Sequence, residues 1–166
     1  MQTTYQTERL LIRALTSADG EFMQMLVNTP GWLEFIGDRN IHSPADSDAY
    51  INRLLNAPAV QYRVVTLRSG NEPIGVVTLI KKEYLDHPDL GFAFLPEYNG
   101  QGYAYEAADA VLTDVLATTN HDRILATTLP ANLSSIRLLE RLGFRYEREI
   151  EPNGEQLRLY GVSART

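Results

Sequence analysis

The stretch EYNGQGYAYEA, Glu97 to Ala107, decides how this chain is read. Gly100 and Gly102 stand two residues apart, directly before an alanine-rich segment. In that segment apolar residues fall at Ala104, Ala108, Val111 and Val115, with Ala107 and Leu112 beside them. That is a stripe of period 3.6, and it predicts a helix from Gly102 to about Thr118. Before the glycines, DLGFAFL (Asp89–Leu95) reads as a strand, closed at Pro96 because proline has no amide to give to a ladder. The loop therefore joins a strand end to a helix N-terminus. Free amides and the positive end of the helix dipole make such a place an anion site. The plain alternative is a tight turn that needs positive φ.

Spacing excludes two familiar phosphate loops. A dinucleotide fingerprint needs glycine where Tyr105 stands, and it belongs to an early strand-turn-helix unit. A P-loop needs Gly-Lys followed by Ser or Thr, which is absent.

Working outward, RLLIRAL (Arg9–Leu15) is a first strand. Thr16 to Asp19 offers caps for a helix over GEFMQMLVN, which Pro30-Gly31 should end. WLEFIG (Trp32–Gly37) reads as an apolar connector. Ser43-Pro44 starts a second helix with Ala45–Asn56 as its body. QYRVVTL (Gln61–Leu67) and PIGVVTLI (Pro73–Ile80) form a hairpin about Ser69 to Glu72. ILATTL (Ile124–Leu129) is a strand, and NLSSIRLLERLGF (Asn132–Phe144) a short helix stopped at Gly143. RYEREI and QLRLYGV close the chain as a hairpin about Asn153-Gly154. A mixed sheet flanked by helices in one α+β domain, residues 1–166, is the expected fold class.

The bulk numbers narrow the function. The chain has 166 residues, 44% of them apolar, enough for one core. Zero cysteines exclude a thiol nucleophile, disulfides and thiolate-held metal, and fit a reducing, cytoplasmic setting. His42, His87 and His121 lack metal spacing, so no metal is expected. A formal charge of −6 argues against a nucleic-acid face and leaves room for cationic or amine partners. No apolar run is long enough for a bilayer, and no basic-then-apolar leader opens the chain, so neither membrane insertion nor secretion is expected.

YNGQGYAYEA followed by NLSSIRLLERLGF resembles the GNAT superfamily of acyl-CoA-dependent N-acetyltransferases. TERLLIRALTSAD and WLEFIG…HSPADSDAYINRL further resemble its branch of ribosomal-protein N-terminal acetyltransferases, the RimJ/RimL type. The resemblance covers nearly the whole chain. It implies a mostly antiparallel sheet of about seven strands. It also implies that acetyl-CoA is the cosubstrate and that the loop backbone cradles the CoA pyrophosphate. The family's loop pattern falls on Asn99, Gly100, Gln101, Gly102, Tyr103 and Ala104, with Asn99 departing from the usual Gln or Arg. Backbone groups of Phe94 and Leu95 would lie beside the thioester, one N–H serving the oxyanion. Asn132 would meet the pantetheine arm; its plain alternative is a helix cap. Leu139 stands where many members carry a tyrosine acid, and the branch instead has serine at the position of Ser135. Ser135 is thus the candidate proton donor to the leaving thiolate.

Arg141 is a candidate for the CoA phosphates, or a solvated charge near a helix end. Asp89 is the candidate base, ahead of Glu97, Glu83 and His87, with a water chain as another route. Glu106, in the first turn of its helix, suits the dipole first and catalysis second. Trp32, Phe35 and Ile36 are candidates to line the acceptor side, or simply an apolar connector. With no cysteine to carry an acyl group, direct transfer to an amine in a ternary complex is expected. A protein N-terminus and a small-molecule amine both remain open, as do monomer and homodimer. A non-catalytic CoA-binding regulatory or interaction module is the competing reading.

Overall fold

In the computed structural model, residues 4–164 are described. The chain runs β1 (Tyr5–Gln6), β2 (Leu10–Ala14), α1 (Gly20–Val27), α2 (Pro30–Phe35), α3 (Pro44–Leu55), β3 (Val60–Leu67), β4 (Pro73–Ile80), β5 (Asp89–Phe94), α4 (Tyr103–Thr118), β6 (Arg123–Thr128), α5 (Leu133–Arg141), β7 (Arg145–Ile150) and β8 (Leu157–Ser163). Among the described residues, eight strands form one sheet in the order β1-β2-β3-β4-β5-β6-β8-β7. Every neighbouring pair is antiparallel except β5 with β6. This is the mixed, mostly antiparallel α+β architecture the sequence predicts, with one more strand. The addition is β1, two residues paired to β2, too short to leave a periodic pattern.

The expected boundary at Pro30-Gly31 is different in kind. α1 stops at Val27, and Pro30 opens α2, with the Thr29 side chain capping the Trp32 amide. Proline's fixed φ and missing amide suit the first turn of a helix as well as they end one. The apolar connector WLEFIG is therefore largely helical. The closing hairpin turns where expected, with Asn153 at φ 55 and Gly154 at φ 80.

Alternation along the strands divides the core between the two faces of the sheet. On one face Ile12, Val65, Val77, Leu90, Ile124 and Ala126 pack with Ala107, Ala108, Val111, Leu112 and Val115 of α4 and with Ile136 and Leu139 of α5. On the other, Val64, Val76 and Leu95 pack with Phe22, Met23, Leu26 and Val27 of α1, Trp32 of α2, and Tyr50 and Ile51 of α3. α4 is tied to the sheet edge where the Tyr5 hydroxyl donates to Asp114 at 2.7 Å. Both α4 and α5 begin just beyond the C-terminal ends of the one parallel strand pair, the end at which open sheets bind ligands.

Candidate active site

The site begins with a failure to pair. β5 and β6 are in register at one place only, Asp89 with Leu125. There the Leu125 amide donates to the Pro88 carbonyl at 2.8 Å. At the other end of β5, the Leu95 amide donates to the Ile74 carbonyl of β4 at 2.9 Å. Backbone groups alternate sides along a strand, so Leu90, Phe92 and Phe94 turn their N–H and C=O groups toward β6. Beyond the vertex β6 keeps to β8, through Thr127 with Leu159 and Thr128 with Arg158. A V-shaped cleft is left between β5 and β6. Its β5 wall offers the amides of Phe92 and Phe94. Of the two residues expected beside the reacting group, only Phe94 has an amide facing the cleft, because that of Leu95 is bonded to β4.

The glycine loop closes the β5 arm. Gly100 has φ 76 and Gly102 has φ 83, both left-handed. Gly102 is the N-cap of α4 and has no side chain with which to cap that helix. The first-turn amides of α4 are therefore offered outward, where an anion would meet them. Nothing lies within 4 Å of a Cβ added at Gly100, whereas one at Gly102 would sit 3.3 Å from Arg9 Nη2. Asn99 and Gln101 are exposed on the rim, Tyr103 and Ala104 half-buried behind it.

Arg9, to which the sequence assigned no role, braces the loop. Its Nη1 donates to the Gln101 carbonyl at 2.9 Å, its Nε pairs with Glu106 at 2.9 Å, and its guanidinium lies 4.3 Å from the centre of the Tyr103 ring. Glu106 also accepts from the Thr7 hydroxyl at 2.6 Å. Burial works to raise the Glu106 carboxyl, but the bonds from Thr7 and Arg9 outweigh it and hold it below the usual glutamate range. Glu106 is thus committed to holding the loop. Beside it opens a cavity of about 530 Å³ lined in part by Arg9, Gln101, Gly102, Tyr105 and Arg141. Arg141 stacks 4.1 Å from the centre of the Tyr105 ring, bringing the end of α5 to the start of α4. It makes no ion pair among the described residues.

On the β6 arm, Asn132 caps α5: its Oδ1 accepts the Ser135 amide at 3.3 Å. The Ser135 hydroxyl is half-buried and makes no hydrogen bond among the described residues. Leu139 is 1% exposed and packs in the core with α4 and the sheet.

Asp89 sits at the vertex, 6% exposed. Its Oδ1 accepts the Thr127 amide at 3.1 Å, and its Oδ2 faces Lys82 Nζ at 2.6 Å and the Thr127 hydroxyl at 3.4 Å. Burial pushes this carboxyl up, against the opposing pull of Lys82 and Thr127. Burial alone would lower the Lys82 ammonium, but the carboxylate holds it above the usual lysine range. Lys82 and Thr127 lie far apart in sequence from each other, which is why no motif announced the cluster. Glu97 and Glu83 are exposed, and His87 lies 3.9 Å from Asp122.

The acceptor candidates divide by depth. Trp32 is buried, Phe35 half-buried, and Ile36 is 42% exposed at the end of α2. The Trp32 Nε1 group is buried without a hydrogen-bond partner among the described residues, and Arg39 lies 6.0 Å from the ring. No group of three or more metal-ligating side chains comes together among the described residues, and no described helix is long and apolar enough to cross a membrane.

Comparison with known proteins agrees with this geometry. The sequence model of the acetyltransferase (GNAT) domain matches residues 9–145. The chain is 30% identical over 141 residues to an uncharacterized N-acetyltransferase, YnaD, of Bacillus subtilis, covering 85% of this chain and 82% of that one. Among solved structures, a GNAT-family acetyltransferase from Bacillus anthracis matches with a TM-score of 0.82 at 27% identity, covering 97% of this chain and 98% of the other. Two more share the fold at lower identity. One is the ribosomal-protein-S5-alanine acetyltransferase of Vibrio fischeri, with TM-score 0.81, 21% identity and coverage of 98% and 97%. The other is the spermidine N-acetyltransferase of Vibrio cholerae in complex with CoA and spermine, with TM-score 0.80, 22% identity and coverage of 95% and 97%. With the family's sequence model spanning most of its length and the family's fold around a cleft between parting strands, this chain belongs to the GNAT acetyltransferases.

Proposed function

We propose that this enzyme transfers an acetyl group from acetyl-CoA directly to a primary amine, and that residues 1–166 act as one catalytic domain. The observation that carries the reading is the pairing of two features: the unpaired β5 edge at Phe92 and Phe94, and the uncapped, left-handed start of α4 at Gly102. An extended, amide-bearing arm fits the first by adding to a strand edge. A pyrophosphate fits the second. Acetyl-CoA carries both and supplies the acetyl group as a thioester.

Gly100, Gln101, Gly102, Tyr103 and Ala104 would hold the pyrophosphate through their backbone, with Asn99 at the rim and Arg141 supplying the nearby cation. Asn132 would hold the arm on the β6 side while capping α5. The Phe94 amide would receive charge developing on the carbonyl oxygen, with Leu95 anchoring that end of β5 to β4. Ser135 would give a proton to the departing sulfur; its hydroxyl makes no hydrogen bond among the described residues. Both oxygens of Asp89 are already engaged, which supports a positioning role for it and the loss of the ammonium proton to water. Ile36, with Phe35 behind it and Trp32 as its buried footing, offers the acceptor an apolar contact.

The order of motifs along the chain favours the RimJ/RimL-type branch. The acceptor is then a protein N-terminus or a small amine, in the cytoplasm. The likeness to the Vibrio fischeri and Vibrio cholerae structures supports amines of both sorts. The test is an amine panel of peptides with free N-termini, polyamines and amino acids, each incubated with acetyl-CoA while CoA thiol release is followed. Release that depends on one amine class supports the reading. Release with none of them, from folded protein, would contradict it.

A further inference from the structure

Asp89 does something at the vertex that a base would not. In a parallel ladder the bond from the Leu125 amide to the Pro88 carbonyl should be followed by one from the Thr127 amide to the Leu90 carbonyl. That second bond is not made. The Thr127 amide donates instead to Asp89 Oδ1 at 3.1 Å, and the ladder ends there. The carboxylate is fixed from the other side by Lys82 at 2.6 Å and by the Thr127 hydroxyl at 3.4 Å. Lys82 Nζ also lies 3.4 Å from that hydroxyl, so three side chains close on one another.

We propose that Asp89, held by Lys82, is a positioning residue that takes the Thr127 amide out of the β5–β6 ladder and so sets the point at which the two strands part. Losing its partner on β6 leaves the Leu90 carbonyl facing the cleft together with the Phe92 and Phe94 amides. Those groups are the donor and acceptor row that an amide-bearing ligand arm needs for pairing. The buried pair carries no acyl or proton transfer. Its effect is on the shape of the cleft, and a buried carboxylate is retained there because Lys82 and Thr127 satisfy it. This inference rests on the cleft being the site for the pantetheine arm.

Two ligands separate that role from the alternatives: CoA, and adenosine 3′,5′-bisphosphate, which lacks the arm. For Asp89→Ala, CoA binding measured by calorimetry should weaken about tenfold or more, the scale of a lost hydrogen-bonding edge, while the bisphosphate changes less than about twofold. Asp89→Asn keeps an acceptor for the Thr127 amide and should bind CoA more tightly than Asp89→Ala. Lys82→Met should behave in the same direction as Asp89→Ala. Amide exchange supplies a readout that needs no ligand: Thr127 should be protected in the wild type and exchange faster in both Asp89→Ala and Lys82→Met. CoA affinity unchanged with turnover abolished in Asp89→Asn would make Asp89 a base and overturn the proposal. Equal losses for CoA and the bisphosphate, or Thr127 exchange unaltered, would overturn it as well. Wild-type protein that binds neither ligand would instead overturn the acetyl-CoA reading, and the exchange measurement would still decide the vertex.

Discussion

Arg9 and Glu106 meet at 2.9 Å, and that contact fastens the turn between β1 and β2 to the first turn of α4. The same arginine holds the Gln101 carbonyl. The left-handed loop is thus braced by a residue more than ninety positions away in sequence. Exposed ion pairs contribute little to global stability, so the effect of this one should be local. In Arg9→Ala the melting temperature should hardly move while CoA affinity falls severalfold. Calorimetric titration beside a thermal melt checks this; an affinity equal to wild type would mean the loop stands without its brace.

Gly102 resists a side chain for two reasons. A β-branched residue at φ 83 carries a backbone cost of about 1–2 kcal/mol. Its Cβ would also press toward Arg9 Nη2 at 3.3 Å. Gly102→Val should lower both stability and CoA affinity. Gly100→Ala meets open space but the same backbone penalty at φ 76, so it should lose stability with a smaller loss of binding. Equal CoA affinity in both variants and the wild type would reduce the glycines to a turn.

Ser135 and Asn132 are neighbours with separable duties. Ser135→Ala removes a hydroxyl that makes no hydrogen bond among the described residues and should lower kcat by about a hundredfold, on the scale of general acid catalysis, leaving CoA affinity intact. Asn132→Ala removes the α5 cap and should cost about 1 kcal/mol of stability. Steady-state kinetics and urea melts distinguish the two. Full turnover in Ser135→Ala would take serine out of the mechanism.

Arg13 and Asp19 give the fold an acid-sensitive joint. Asp19 accepts from Arg13 at 2.7 and 2.9 Å and from the Thr16 amide at 2.8 Å. Burial would raise this carboxyl, but those bonds outweigh it and hold it below the usual aspartate range. A carboxyl lowered on folding adds stability that is present above its unfolded value, near 3.9, and is lost as the pH falls through its folded value. Urea melts of wild type and Asp19→Asn should therefore differ at pH 7, and the gap should narrow as the pH falls below about 4. A gap independent of pH would show that the pair's charge contributes nothing.

Much of this was legible from local pattern. The α4 stripe, the hairpin of β3 and β4, the left-handed turn at Asn153-Gly154 and the strand-loop-helix around Gly100 and Gly102 all rest on contacts close in sequence. What stayed hidden rests on distance. Lys82 and Thr127 converge on Asp89 only once β5 and β6 lie side by side, so an aspartate opening a strand looks the same whether it faces solvent or a buried ammonium. Arg9 falls in a stretch whose alternation predicts a strand, but it stands in the turn just before β2, and that alternation says nothing of α4. The Pro30 boundary misled for a local reason, because proline ends and begins helices by the same chemistry.

The most direct measurement is thermal unfolding of the wild-type protein with acetyl-CoA, with ATP and NAD as controls. A ligand present at about a hundred times its dissociation constant adds roughly 2.7 kcal/mol to the folded state. The account predicts a rise in melting temperature with acetyl-CoA alone, and loss of that rise in Gly102→Val. An unchanged melting temperature at high acetyl-CoA, or an equal rise with ATP, would contradict the cleft between β5 and β6 as an acyl-CoA site.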